Sequence, residues 1–218
     1  METTIYNNLL KLFVDDNEFV DWRNKPFKIG EQVMATNGHV IIIINDIVAP
    51  EIGPLTTYDP NGVLSVIPPN CTLLGTISVD DVKNLISTVP LIPVEVECET
   101  CLGEGEVEYH FESGKNYYTE DLECPVCKGE GVVKSKSGEK EINYLRRIII
   151  GQSAFAISYL DKIVSCCEQL QVQEISIVYQ VGKDSKTVFR VGLVDFLVMP
   201  VAIELNDESI IGSVSIKL

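Results

Sequence analysis

Apolar residues recur along this chain at three spacings, and each spacing predicts a different kind of element. In TTIYNNLLKLFV (residues 3–14), Ile5, Leu9, Leu10 and Phe13 share one face of a 3.6-residue period. That predicts a helix capped by Thr3 or Thr4 and ended by DDNEF. A second helix is predicted within GTISVDDVKNLIST (75–88), after a short strand. Ser78 is its N-cap, Asp80 and Asp81 suit the positive end of the helix dipole, and Val82, Leu85 and Ile86 face inward. A third is predicted over 153–168 (SAFAISYLDKIVSCCE), with Phe155, Ile157, Leu160, Ile163 and Val164 inward.

Elsewhere the period is two, or the apolar run is unbroken. Residues 27–46 (FKIGEQVMATNGHVIIIIND) read as strands, with a hairpin at Asn37-Gly38 because both positions tolerate positive φ. The run VIIII at 40–44 predicts a strand covered on both faces. Residues 45–70 hold five prolines and Asn61-Gly62, and read as strand ends and loops. VPLIPVEVEC leads as a strand into the first cysteines, and GVVKSKSG is its returning partner. Residues 141–151, QEISIVYQV, KTVFRVGLVDFLVMPV and a last pair around SIIGSVSIKL supply further strands, with a hairpin loop at Gly182-Lys183-Asp184-Ser185. Strand, helix and several strands, repeated, predict an α+β fold with antiparallel sheets and three helices.

Between the two halves of that pattern lies a stretch with its own chemistry. Cys98-x-x-Cys101 and Cys124-x-x-Cys127 are 22 residues apart, and each runs into the same tail, C-x-x-C-x-G-x-G. Two residues between cysteines let both thiolates grip one tetrahedral metal, and four thiolates complete the shell of a structural zinc. Gly103, Gly105, Gly129 and Gly131 let the backbone fold back under the metal. Paired disulfides would need an oxidising compartment, and a redox C-x-x-C would not explain the duplication. His110 lies between the pairs and could replace a ligand, but four cysteines suffice. The repeat resembles the cysteine-rich zinc region of DnaJ-type co-chaperones over about 34 residues. That family has four repeats and two zincs; two repeats here imply one zinc. No His-Pro-Asp tripeptide of a J domain is present. The module reads as an insertion at the tip of a long hairpin, dividing the chain into 1–95, 96–134 and 135–218.

Composition narrows the function. The chain has 218 residues, is 45% hydrophobic and carries a net charge of −15. No run of about 18 apolar residues occurs and METTIYNN is not a basic-then-apolar leader, so the expectation is a cytoplasmic chain with no membrane partner. From Cys98 to Gly131 nine acids face two bases, a balance of −7. Phosphate would repel such a module, which makes it a structural clip or a protein-docking surface rather than a DNA reader. Cys71, Cys166 and Cys167 read as small buried residues, and Trp22 as a core residue. The two histidines, 71 residues apart, offer no Ser-His-Asp or Cys-His arrangement, and no P-loop or dinucleotide fingerprint occurs. The chain is therefore expected not to be an enzyme.

Several segments also resemble, in order, the bacterial DNA sliding clamps. VMATNGHVIII is similar to the clamp segment in which Ala-Thr-Asp-Gly-His precedes Arg-Leu. TLLGTISVDDVKNLISTVPLIPVEVE is similar to the strand–helix–strand after it, and AISYLDKIV, EISIVYQ and FRVGLVDFLVMPV to the end of the clamp. Asn37 stands where the family has Asp, and Val40 where it has Arg. The resemblance implies an apolar cleft for short linear peptides of partner proteins, formed here by Thr36, Gly38, His39 and Ile41 with Leu197, Met199, Pro200 and Val201, and Val82 completing the wall. It also implies a homo-oligomeric ring and double-stranded DNA as a partner if that ring forms, although the helices offer only Lys11, Lys83 and Lys162 among several acids. His39 and Met199-Pro200 equally suit an ordinary turn and strand end. Three functions follow: a non-catalytic sliding-clamp-like scaffold in replication, repair or a mobile element; a zinc-stabilised protein-binding or chaperone-like module without DNA function; or an unrecognised enzyme.

Overall fold

The structure is a computed structural model that describes residues 2–15, 23–45, 52–53, 72–203 and 207–218. Trp22, Cys71, Asn61-Gly62 and most of DDNEF lie outside the described residues. The chain folds as two compact units, Met1–Val89 with Tyr144–Leu218, and Pro90–Asn143.

Elements are numbered along the whole chain. The first unit opens with α1 (Glu2–Lys11), β1 (Phe27–Ile29), β2 (Gln32–Thr36), β3 (Val40–Ile44), β4 (Gly75–Ser78) and α2 (Val79–Ser87). The second unit holds β5 (Leu91–Pro93), β6 (Glu95–Glu97), β7 (Glu106–Ser113), β8 (Asn116–Glu123), β9 (Val132–Lys134) and β10 (Lys140–Ile142). The first unit resumes with β11 (Arg147–Ile150), β12 (Ser153–Ala156), α3 (Ile157–Leu170), β13 (Glu174–Gln180), β14 (Thr187–Val191), β15 (Val194–Val198) and β16 (Ile210–Val214). The result is α+β, with three helices among the described residues and sheets that are mostly antiparallel.

A seven-stranded sheet in the order β1-β2-β3-β15-β14-β13-β4 is the body of the first unit. β3 lies inside it between β2 and β15, and Val40, Ile42, Ile43 and Ile44 are fully buried, as the unbroken apolar run predicts. On one sheet face Phe196 packs against Phe13, from the turn after α1, at 5.5 Å, and Phe189 against Phe155 at 5.3 Å. Each buried ring of this kind contributes about 1.5–3 kcal/mol. Cross-strand register puts Met34, Ile43 and Asp195 on the opposite face, together with Arg190. The Arg190 guanidinium donates to both oxygens of Asp195, at 2.7 and 2.9 Å.

The helix signals resolve unequally. Ser78 does cap α2, its Oγ accepting from Asp81 N at 3.4 Å, and Val82 and Ile86 are buried. The third helix begins at Ile157, four residues later than its apolar spacing predicts. Ser153–Ala156 is instead β12, with Phe155 opposite Ile148 of β11 and both fully buried. Residues 141–151 are not one strand either: β10 and β11 are separated by 143–146 and belong to different units. The expected pair at the C-terminus is a single strand, β16, which runs parallel to β11, followed by an antiparallel bridge from Lys217 to Thr76.

In the second unit β5 pairs with β10, and β6 with β9, all antiparallel. The strand VPLIPVEVEC and its return GVVKSKSG thus meet as expected. The cysteines are not at the hairpin tip, however. β7 and β8 form an eight-residue ladder that continues beyond them to a turn at Gly114.

Candidate functional site

Two groups of side chains carry the chemistry, and each is built within one unit. The first is the cysteine cluster. Cys98, Cys101, Cys124 and Cys127 are all buried free thiols, with sulfurs within 4.8 Å of one another. Cys98 Sγ lies 3.8 Å from Cys124 Sγ, and Cys101 Sγ 3.6 Å from Cys127 Sγ. A zinc–sulfur bond of about 2.3 Å places the corners of a tetrahedron about 3.8 Å apart, so the four thiols fit such an ion. His110 is on the exposed β7–β8 ladder, its Nε2 2.9 Å from Glu108 Oε1.

The two knuckles are related by an approximate two-fold. Gly105 N donates to Cys101 Sγ and Gly131 N to Cys127 Sγ, each at 3.3 Å. Cys98 N donates to Gly131 O and Cys124 N to Gly105 O, each at 2.8 Å. Each repeat therefore closes on the last glycine of the other. A Cβ on Gly105 would stand 2.4 Å from Gly129 O, and one on Gly131 2.3 Å from Gly103 O, so both positions exclude any side chain. Burial raises the Cys101 thiol to about 11. At Cys98 burial acts in the same sense, but hydrogen bonds from Cys101 and Thr100 N–H outweigh it and bring the thiol to about 7.

The second group lies where the β2–β3 turn meets the end of β15. Thr36 Oγ1 donates to Val40 O at 2.8 Å and accepts from Gly38 N at 3.0 Å. Asn37 Oδ1 accepts from His39 N at 3.1 Å and Val40 N at 3.0 Å, which lets an amide build this turn in place of a carboxylate. Gly38 has φ +91°, and the Arg23 guanidinium lies against it. Ile41 pairs with Thr36 on one side and Leu197 on the other, and packs with Leu197, Val188, Val178 and Tyr179. Met199 N donates to His39 O at 3.0 Å, and two residues later Val201 N donates to Ala154 O of β12 at 2.8 Å. The Met199-Pro200-Val201 segment thus passes from the large sheet to the three-stranded sheet β12-β11-β16, and Pro200 needs no acceptor at the crossing.

Thr36, Gly38, His39, Ile41, Leu197, Met199 and, through the crossing, Pro200 and Val201 are therefore brought together. Thr36 and Leu197 are buried, Ile41 is half-buried, and His39 and Met199 are exposed. Val82 is elsewhere: it is buried on α2, which follows β4, three places from β15 in the strand order. Two neighbours had no signal of their own in the sequence. Arg23 lies against Gly38, and Tyr159 of α3 stacks on the His39 ring at 6.0 Å. Partial burial raises the Tyr159 hydroxyl above its ordinary value. Of the helix lysines, Lys83 is held by Glu168 at 2.5 Å, which raises its pKa, and Lys162 Nζ lies 5.9 Å from the Phe13 ring centre.

This architecture is that of the bacterial DNA sliding clamps. No family model matches the sequence and no curated protein does, so the likeness rests on solved structures. The chain is similar to the Bartonella birtlesii DnaN sliding clamp (DNA polymerase III subunit beta) bound to griselimycin, at TM-score 0.52 and 12% identity over 93% of this chain and 64% of that one. It is similar to the Caulobacter crescentus pol III beta at TM-score 0.50 and 12% identity, with the same coverage. The DNA polymerase III subunit beta from Borrelia burgdorferi, in complex with a natural product, gives TM-score 0.50 and 15% identity over 93% and 61%. The chain spans less than two thirds of the length of these clamps. Among the described residues, no helix is long and apolar enough to cross a membrane.

Proposed function

We propose that this chain is a non-catalytic, sliding-clamp-like scaffold that receives short linear peptides of partner proteins, in replication, repair or a mobile element. The observation that carries this reading is the junction of Met199 N with His39 O, which sets the Met-Pro crossing against the Asn37-Gly38 turn. Ile41 and Met199 supply an apolar, adaptable floor, and Tyr159 and His39 a stacked wall. One structural zinc, held by Cys98, Cys101, Cys124 and Cys127 in DnaJ-type knuckles, keeps the second unit folded; the sulfur separations support it. A homo-oligomeric ring around double-stranded DNA belongs to the same proposal.

The test is binding of a fluorescent peptide carrying the clamp-binding segment of a bacterial replicative polymerase. Met199→Glu is expected to weaken it at least tenfold, because a carboxylate would be desolvated against the apolar floor. Undiminished binding by that variant, or none by the parent, refutes the cleft. Solution mass on circular and then linearised DNA tests the ring separately.

A further inference from the structure

The β7–β8 ladder belongs to neither the metal shell nor the peptide cleft, and its two faces differ in kind. Register puts Val107, Tyr109 and Phe111 with Leu122 and Tyr118 on one face, where Glu120, opposite Tyr109, is the one acid. Phe111 stacks on Tyr118 at 5.2 Å, yet Tyr109, Phe111, Tyr118 and Leu122 remain between 41% and 50% exposed. The other face carries Glu106, Glu108, Glu112, Asp121 and Glu123, with His110, Thr119 and Tyr117 among them toward the turn and His110 Nε2 2.9 Å from Glu108. Glu106 stands directly opposite Glu123, and Glu108 opposite Asp121. Like charges in directly opposed positions destabilise an antiparallel pair. The sheet has only two strands, so both edges carry unpaired backbone donors and acceptors.

A strand added at such an edge extends both faces at once, because its side chains alternate. Apolar side chains would continue the aromatic face, and basic ones would neutralise the opposed acids. A second copy of this hairpin fits badly: it would bring five more acids against five. We propose that the β7–β8 hairpin takes up an extended polypeptide segment of alternating apolar and basic residues as a third strand. This hairpin belongs to the second unit and the Met199 segment to the first, so either proposal can fail without the other.

The probe is a nine-residue peptide alternating valine and lysine, bound to the full zinc-loaded chain at about 0.15 M salt and followed by fluorescence anisotropy. Controls are a blocked peptide of the same composition and one alternating valine and glutamate. The alternating basic peptide should bind at least tenfold tighter than either. Its affinity should fall at least tenfold in the variant E106Q/E108Q/D121N/E123Q and again in Phe111→Ser, with zinc content unchanged as the check of folding. N-methylation of every second peptide amide on the pairing edge should abolish binding, whereas methylation of the outward amides should not. Equal binding of the alternating and blocked peptides would reduce the effect to charge attraction and overturn the proposal. Insensitivity to N-methylation, or self-association of the hairpin without peptide uptake, would overturn it as well.

Discussion

Replacing Gly105 with alanine tests the reciprocal closure of the two cysteine knuckles. Gly105 has φ +81°, and its added Cβ would meet Gly129 O at 2.4 Å, a backbone atom that cannot rotate away. Gly114, at the tip of the β7–β8 ladder, has φ +68° and nothing within 4 Å, so alanine there meets only the conformational cost. That cost is about 1–2 kcal/mol at either site. At Gly105 the second knuckle must also move, which breaks the 2.8 Å bond from Cys124 N and disturbs Cys124 as a ligand. A buried hydrogen bond left unmade costs a further ~1–3 kcal/mol. The sum is about 2–5 kcal/mol, and at ~1.4 kcal/mol per decade that weakens zinc at least ~30-fold. Competition with a chromogenic chelator on the full chain reads this directly. Gly114→Ala should change zinc affinity less than about tenfold, since the distal turn frays without moving a ligand. Equal effects of the two substitutions would refute the claim that the repeats close on each other.

Cys124→Ser, or removal of the zinc by a chelator, should unfold the second unit while the first keeps a cooperative thermal transition, because none of the four ligands belongs to its core. Loss of all cooperative unfolding by calorimetry would contradict that. Asp207 Oδ1 accepts from Ser209 N at 2.9 Å and Oδ2 pairs with Arg147 at 2.6 Å, so its carboxyl is held below the ordinary value. Its stabilising contribution is present above pH 3.8 and lost as pH falls through the lower folded value. Asp207→Asn should remove that part of the acid sensitivity in denaturant melts at pH 6 and pH 3, and an unchanged pH profile would show that the pair does not couple to folding.

What could be read from the chain was local. The Asn37-Gly38 hairpin, the Ser78 cap and the buried run at 40–44 are each written in a few adjacent residues. The cysteine repeat announces itself by spacing alone. The start of α3 could not be placed, because Ala156 ends the preceding strand without a capping side chain and Phe155 fits a helical as well as an alternating pattern. The β7–β8 ladder alternates, but the acids spread along it mask the apolar period. The parallel pairing of β16 with β11 joins residues some sixty apart, and nothing nearby encodes it. Resemblance pointed to the turn and the Met-Pro crossing, which meet through Met199 N and His39 O, while Arg23 and Tyr159 arrive only through the fold.

The reciprocity of the knuckles makes the metal core a joint with two equivalent ports. The chain enters and leaves beside β6 and β9, while β7 and β8 leave by the matching route on the other side. The bonds from Gly105 N and Gly131 N to the sulfurs match at 3.3 Å, and those from Cys98 N and Cys124 N to the glycine carbonyls match at 2.8 Å. New termini opened at Gly114, with the ends of β6 and β9 joined by a short turn, should therefore yield a free-standing module that binds zinc in the same shell and offers the opposite ladder as its stalk.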